Sequence, residues 1–579
     1  MQSIPLRALA CLLAGCLGCQ AAPSPPTSEY SGPKNSCKKN SDCPENSVCN
    51  QEIKRCVLEG VAKDAEYHVV VYPKPDKTVS KSTSSNPLQG FDIVLDAEGV
   101  ARTPLDIYFP VPVVLDIKYF ADGVNQSVEF VTRLILTETG NQVPEFSRLI
   151  YDFRITSEER NSFPRRYFVP KNRQYRLKVI PEDPAGRYPI HDFAEVSVDR
   201  RGNLTIGEDN QRRISIFKED NKVSGTVLID GLPANGFTVQ ALDPTTNRVA
   251  SLENVTKCSP DDDGEIECGK FTFGLEEAID PFNLIISRPD IPGYPEVTKR
   301  GIPQSNPVVE LLNPGPPVRF RGRVERPGFS LGSTTNYFDG MPNCTVYFRS
   351  SDIPEGRALL QANTDEKGDI IGRNGVAGVN LYAGSYRMTV VPPNRMGTID
   401  YDFAVLSLAD PIEIKGTGEM SRQVFTLQHR PFIEGYLTAS GNPITGGMLR
   451  ATPIGEANPW LRTSSTAIEQ DGSYGIWVDQ GNYRFIAEVP VESGYAWTIV
   501  SQEVEDSGTL DIELTIPFVA TVELQPADVY YNRTHDLENV LVEWYEMIDG
   551  KHVLVGRSYS DAAGKATALL PPPQRTVFR

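Results

Sequence analysis

Residues 481–490, GNYRFIAEVP, carry the pattern that decides the fold. A tyrosine opens a short segment in which apolar and polar side chains alternate, and a proline ends it. The pattern recurs between 97 and 108 residues apart, at Tyr67, Tyr175, Phe282, Tyr386 and Tyr483. Alternation of this kind is typical of a strand with one buried face. The chain is therefore predicted to repeat one β unit along its length.

Two further elements recur in the same order inside these units. A strand with a central glycine comes first, and a turn with aspartate and glycine separates it from the aromatic strand. The glycine strands are VSGTV (223–227), FRGRV (320–324) and IEGYL (433–437), with counterparts lacking glycine at 113–119 and 519–524. Aspartate starts such turns through its side chain, and glycine supplies the positive φ. Helical periodicity is nearly absent, which predicts an all-β protein.

This order of strand, turn and aromatic strand resembles the carboxypeptidase regulatory-like domain, a transthyretin-like sandwich of two antiparallel sheets that is similar to B-type repeats of bacterial surface proteins. The match is best over 431–517, through Gly435, Asp471-Gly472 and Tyr483. It is weakest over 113–218. The resemblance implies a tandem array of antiparallel β-sandwich domains, Ig-like or transthyretin-like. It concerns an accessory domain and implies no activity.

The repeat divides the chain into nine expected segments. They are a signal peptide (1–15), a Pro/Ser-rich tether (16–36), a Cys-rich module (37–58), a partial β unit that packs on the next one (65–112), four β-sandwiches (113–218, 222–313, 318–428, 431–517) and an incomplete sandwich (519–579). Residues 65–112 hold only the last strands of a unit, and 519–579 hold only the first. A second hypothesis is that 65–112 of one molecule complete 519–579 of another, which would assemble copies into rings or filaments.

The first residues read as an export signal with one positive charge and a short apolar run. Leu13-Ala14-Gly15-Cys16 resembles a bacterial lipobox, which implies a lipid on Cys16 and a place in the cell envelope, at the outer membrane or cell surface. Cys19 is the alternative lipidation site. An ordinary signal peptide that happens to contain cysteine remains open.

The other cysteines fit an exported protein. Cys37, Cys43, Cys49 and Cys56 lack the C-x-x-C pairs of a zinc site and predict two disulfides, which so short a module needs. Three pairings are open, and Cys37–Cys49 with Cys43–Cys56 is favoured. The segment from Ser41 to Cys49 also resembles small DxDCPxxxxC modules of exported proteins. Two more cysteines, Cys258 and Cys268, flank a hairpin turn and are predicted to form a third bridge. The last one, Cys344, is predicted to be a buried thiol.

Few residues point to chemistry. The five histidines have no zinc-helix spacing, and no nucleophile motif is present, so no enzyme activity and no cofactor are expected. The run Asp261, Asp262 and Asp263 is a weak Ca²⁺ candidate, but a solvated hairpin turn fits its spacing better. Tyr530, Tyr531, Trp544 and Tyr545 suggest a sugar platform. Since Trp544 and Tyr545 alternate, only one of the two is expected to face outward.

The net charge of −18, without a run of basic residues, argues against nucleic-acid binding. The first function hypothesis is a non-enzymatic, envelope-anchored surface lipoprotein, a β-sandwich stalk for adhesion, presentation or scaffolding. The alternative is a carbohydrate- or peptide-binding component of an envelope uptake or degradation system. The expected partners are a membrane, through the lipid, and an extracellular protein or glycan that the sequence does not identify.

Overall fold

A computed structural model gives the fold. It describes residues 34–44, 46–72, 88–107, 110–121, 123–139, 150–156, 165–170, 173–183, 186–199, 203–206, 213–218, 222–260, 266–276, 278–328, 337–353, 356–372, 375–393, 403–416, 418–455, 459–526 and 537–573. Strands hold 59% of the residues and helices 1%, which confirms the all-β prediction. None of the helices in these ranges is long and apolar enough to cross a bilayer.

The Cys-rich module is a two-stranded hairpin held by two disulfides. A 3-10 helix, Asn40–Asp42, leads into strands β1 (Ser47–Asn50) and β2 (Arg55–Leu58). Cys37 is joined to Cys49 and Cys43 to Cys56, the pairing favoured from the sequence. The disulfides replace the core that a module of this size lacks.

Three strands follow the module before the first of the four middle sandwiches. They are β3 (Glu66–Tyr72), β4 (Gln89–Val94) and β5 (Leu105–Ile107). The first middle sandwich then spans 110–217. Its strands are β6 (Pro110–Ala121), β7 (Val124–Gln126), β8 (Thr132–Glu138), β9 (Ile150–Ile155), β10 (Arg165–Pro170), β11 (Arg173–Pro181), β12 (His191–Val198), β13 (Leu204–Ile206) and β14 (Arg213–Phe217). One sheet has the order β10-β6-β14 and the other β13-β12-β11-β8-β9.

The second middle sandwich spans 222–311. Its strands are β15 (Lys222–Ile229), β16 (Leu232–Pro233), β17 (Thr238–Leu242), β18 (Asn254–Val255), β19 (Lys257–Pro260), β20 (Ile266–Gly274), β21 (Phe282–Ser287), β22 (Glu296–Ile302) and β23 (Val308–Leu311). One sheet has the order β16-β15-β20-β19, and β23 adds to β15 in parallel. Cys258 and Cys268 are bridged between β19 and β20, with Cα atoms 3.8 Å apart, as predicted.

The third middle sandwich spans 318–426. Its strands are β24 (Val318–Phe320), β25 (Gly322–Gly328), β26 (Tyr337–Gly340), β27 (Thr345–Ile353), β28 (Gly356–Thr364), β29 (Ile370–Ile371), β30 (Val379–Leu381), β31 (Gly384–Val391), β32 (Leu406–Ser407), β33 (Ile412–Ile414), β34 (Gly418–Glu419) and β35 (Gln423–Thr426). Strand β22 of the second sandwich pairs with β28, so these two sandwiches share one ten-stranded sheet.

The fourth middle sandwich spans 432–513, and four more strands follow it. Its strands are β36 (Phe432–Ala439), β37 (Asn442–Pro443), β38 (Met448–Pro453), β39 (Ser464–Ala467), β40 (Ser473–Trp477), β41 (Gly481–Glu488), β42 (Thr498–Val504), β43 (Gly508–Thr509) and β44 (Ile512–Glu513), with a 3-10 helix at Val491–Ser493. The last strands are β45 (Phe518–Pro526), β46 (Leu541–Ile548), β47 (Lys551–Tyr559) and β48 (Lys565–Leu570).

The recurring residues have the structural roles that their pattern predicts. Each repeated aromatic residue lies in a core, with at most 3% of its surface exposed: Tyr67, Tyr175, Phe282, Tyr386 and Tyr483. In two of the three glycine strands a side chain would collide with backbone. A Cβ on Gly225 would lie 2.6 Å from the carbonyl oxygen of Pro307, and one on Gly435 would overlap that of Leu510. Both carbonyls precede strands that run parallel to the glycine strand.

The first and last strands form one sandwich, which we call the closing sandwich (residues 66–107 and 518–570). Strand β3 lies between β4 and β46 in the sheet β4-β3-β46-β47, and β5 pairs with β45 in the sheet β48-β45-β5. The prediction that 65–112 pack as extra strands on 113–218 is therefore wrong. The apolar side chains of β3 and β5 complete the core that 518–570 form. The strand edge whose exposure suggested assembly between molecules is paired within the chain.

We predict that weakening the packing of β3 in the core destabilises the closing sandwich. Tyr67→Ala should lower the free energy of unfolding of this sandwich by about 3 kcal/mol or more, as other large-to-small core substitutions do. Hydrogen exchange should then rise in both 66–72 and 541–559. The control is Tyr175→Ala, which should raise exchange within 110–217 instead. Unchanged exchange in 541–559 of Tyr67→Ala would contradict the pairing of β3 with β46.

A second prediction concerns the thiol of Cys344, which is fully buried. Burial raises the pKa of this thiol to about 11, and the thiolate is the reactive form. A maleimide should therefore not label Cys344 in the native, unreduced protein, and it should label Cys344 after denaturation. Labelling at Cys258 or Cys268 under the same unreduced conditions would contradict their disulfide.

Candidate functional site: the closing sandwich and its junction

The core of the closing sandwich is built by both parts of the chain. Tyr67 from β3 packs edge-on against Trp544 from β46, with ring centroids 6.2 Å apart, and lies 6.3 Å from Phe518. The indole nitrogen of Trp544 donates to Ser558 Oγ at 3.0 Å. Val69 and Leu105 join the same cluster. Neither part buries these side chains without the other, so the sandwich forms only when they meet.

The Cys-rich module lies at the junction of the closing sandwich and the fourth middle sandwich. Asn35 Nδ2 donates to the carbonyls of Cys56 and Gly494, each at 2.8 Å. Arg55 donates to the carbonyl of Glu492 at 3.0 Å. On the other side, Lys565 Nζ lies 3.2 Å from the carboxylate of Glu52. The module is therefore fixed to both neighbours by hydrogen bonds and a salt bridge.

A buried polar network covers the outer face of the sheet that contains β3 and β46. Glu543 accepts hydrogen bonds from the hydroxyls of Tyr72 and Tyr545, both at 2.6 Å, and from Arg557 Nε at 2.8 Å. The guanidinium of Arg557 lies over the ring of Trp497, 5.5 Å from its centroid. The network thus joins residues from the first part of the chain, the last part and the fourth middle sandwich.

A second carboxylate, Glu488, comes from the fourth middle sandwich. One of its oxygens lies 3.7 Å from Arg557, and Arg450 forms an ion pair with it. Burial raises the pKa of this carboxyl, against the opposing charges of Arg450 and Arg557. Arg484 and Asp549 form a further ion pair across the same junction, at 3.3 Å.

The structure corrects the sugar platform predicted at Trp544 and Tyr545, because both residues lie where their accessible surface is covered. Trp544 is fully buried, and Tyr545 has 2% of its surface exposed, so neither can stack on a sugar. The alternation is present, but one side chain faces the core and the other faces the junction. A β-bulge between Trp544 and Tyr545 marks the change in register with β47. The alternation of Trp544 and Tyr545 correctly predicts a strand. It does not show that a neighbouring sandwich covers the outer face of that strand.

Several predicted sites lie outside the described residues: Cys16, Cys19, Asp261, Asp262, Asp263, Tyr530 and Tyr531. Within the described residues, the sulfurs of Cys37, Cys43 and Cys56 approach one another closely. All three are bonded in disulfides, so they offer no thiolate to a metal.

Sequence reasoning missed a histidine pair in the closing sandwich. His68 lies on β3 and His552 on β47, with ring centroids 5.0 Å apart and ring planes inclined at 58°. His68 Nδ1 lies 2.7 Å from Asp92 Oδ1 on β4. The two histidines are far apart in the sequence, and only the pairing of β3 with β46 brings them together.

No protein-family model and no curated protein matches this chain. Among solved structures, the Bacillus anthracis TIE protein is 13% identical, over 72% of this chain and 76% of that one, with a TM-score of 0.16. The streptococcal ancillary pilin is 11% identical, over 51% and 98%, with a TM-score of 0.21. The minor pilin GBS52 of Streptococcus agalactiae is 13% identical, over 37% and 100%, with a TM-score of 0.20. Scores this low carry no weight for function.

The polar network predicts that Glu543 contributes strongly to the free energy of unfolding of the closing sandwich. Glu543→Ala should lower the free energy of unfolding of the closing sandwich by about 3 kcal/mol, because Arg557 and two tyrosine hydroxyls lose their buried acceptor. The matched control is Glu523→Ala on the exposed side of β45, which should change it by about 0.5 kcal/mol or less. Urea unfolding followed by Trp fluorescence measures both. Equal effects of the two substitutions would show that the network does not hold the junction.

Proposed function

We propose that this protein is a non-enzymatic, lipid-anchored envelope protein that serves as a scaffold for adhesion or presentation outside the cell. The observation that carries the proposal is the closing sandwich. It joins the first strands of the chain, which follow the predicted lipid-bearing segment, to the last ones. Cys16 is the proposed lipid site, and the tether and the disulfide-held module connect it to this sandwich. Disulfides of this kind fit an exported protein.

The arrangement modifies the stalk that the sequence suggested. In a linear array, the last sandwich would be the one farthest from the anchor. Here the last strands return to the first, so the chain runs from the closing sandwich through four middle sandwiches and back again. The closing sandwich is then the base next to the membrane. The second and third middle sandwiches, which share the sheet containing β22 and β28, are farthest from it along the chain.

The contacts between neighbouring units support a scaffold rather than a string of loose domains. Arg173 of the first middle sandwich lies over Phe91 of the closing one, 5.5 Å from its ring centroid. Lys178 donates to the carbonyl of Val249 in the second. Tyr347 and Trp460 stack between the third and fourth, with centroids 3.9 Å apart. Each junction holds its neighbours through side chains as well as through the short linker.

A partly exposed aromatic pair keeps the carbohydrate-binding hypothesis as a second candidate. Trp477 on β40 has 38% of its surface exposed, and its ring lies 4.7 Å from that of Phe432 on the adjacent strand β36. This pair, rather than Trp544 and Tyr545, is the platform on which a sugar could stack. A glycan array comparing the unchanged protein with Trp477→Ala tests this candidate. Binding that is lost in Trp477→Ala would favour it over a scaffold without a ligand.

The lipid anchor gives the proposed function its direct test. Cells of a bacterial host that express the full chain should incorporate labelled palmitate into it, and Cys16→Ser should abolish this incorporation and release the protein from the membrane fraction. Cys11→Ser is the matched control and should keep the label. Loss of label in Cys19→Ser with retention in Cys16→Ser would move the lipid to the alternative site. Absence of label from the unchanged chain would overturn the anchor.

A further inference from the structure

His68 is buried on β3, a strand whose neighbours supply polar groups. Its side chain is 2% exposed, while that of its partner Asp92 is 70% exposed. Asp92 accepts a hydrogen bond from Nδ1–H, because an ionised carboxylate can only accept. This bond fixes the tautomer of the ring and leaves Nε2 as a free acceptor with its lone pair available.

Among the residues that the structure describes, the buried Nε2 atom of His68 has no hydrogen-bond partner. A buried polar atom without a partner costs free energy, and such atoms in proteins usually have an identifiable ligand or water. The two nitrogens of an imidazole point to opposite sides of the ring. Nδ1 is held by Asp92 on β4, and the ring of His552 on β47 lies beside the His68 ring.

The spacing of the two rings fits a shared metal ion. With metal–nitrogen bonds of about 2.0–2.1 Å and tetrahedral geometry, two imidazoles on one ion have ring centroids about 5 Å apart. The observed separation is 5.0 Å, with inclined planes.

We propose that His68 Nε2 and the imidazole of His552 bind one divalent transition-metal ion of the class that prefers imidazole, with Zn²⁺ as its representative. Asp92 is a positioning residue that orients His68, as carboxylates do behind many metal-bound histidines. Two protein nitrogens leave the remaining coordination positions to water. The ion would connect β3, from the first part of the chain, to the hairpin of β46 and β47, from the last part. Its role would be to fasten the closing sandwich.

The test uses the full mature chain without a histidine tag, stripped of metal and kept unreduced so that its disulfides stay closed. Near neutral pH, titration calorimetry with Zn²⁺ should give one ion per chain and raise the unfolding temperature. His552→Gln and His68→Gln should lose this binding, and Asp92→Asn should weaken it by about 10–100-fold. His429→Gln is the control and should bind as the unchanged chain does.

Each outcome decides the proposal. No binding by the unchanged, folded chain would overturn it, since an ordered water on Nε2 would then account for the buried nitrogen. Binding that survives both His68→Gln and His552→Gln would place the ion elsewhere and overturn it as well. Should His68→Gln fail to fold, the comparison of His552→Gln with Asp92→Asn still decides. The expected order is complete loss for the first and partial loss for the second, with native circular dichroism in both.

Discussion

The pairing of β3 with β46 is the interaction on which the rest of the structure depends. It buries Tyr67, Val69 and Val71 against the apolar face of the last strands, and burial of such side chains is the dominant favourable term in folding. Its register, from His68 opposite Tyr545 to Tyr72 opposite Leu541, also sets which polar groups meet at the junction. A slip by one residue would turn the core face of β3 outward. The polar network of Glu543 and the histidine pair both exist because this register holds.

Pairing within the chain is favoured although more than four hundred residues separate the partners. The entropy cost of closing a loop grows only logarithmically with its length. Most of the residues between the partner strands are folded into four sandwiches, so they do not form a long flexible loop. The contacts between neighbouring sandwiches further restrict their relative orientations. The first and last strands therefore meet at a high effective concentration. The same complementarity between two molecules would have to offset the entropy lost on association.

Local patterns predicted those parts of the structure that depend on local sequence. The alternation around Tyr175 predicts a strand with one buried face, and β11 has that pattern. Strand β41, which holds Tyr483, is instead buried on both faces, because Ile486 on its outer face packs against Ile548 and Val553 of the closing sandwich. The spacing of Cys258 and Cys268 across a turn specifies a bridge between neighbouring strands. The order of the strands also predicts that neither 65–112 nor 519–579 holds a whole unit. The pattern could not show that each completes the other, because alternation indicates which face is apolar but not which strand lies beside it.

The candidate site was less predictable for the same reason. The alternation of Trp544 and Tyr545 predicts one inward and one outward side chain, as in a sheet whose outer face is free. In the structure the fourth middle sandwich covers that outer face. His68 reads as a lone polar residue in an apolar strand, because Asp92 and His552 become its neighbours only through tertiary pairing. Both cases follow from closure of the array. Once the last strands return to the first, the outer face of β46 meets another sandwich, and residues from distant parts of the sequence share one sheet. A function that depends on such residues is then tied to the integrity of the closing sandwich, whereas one carried by Trp477 on a middle sandwich is not.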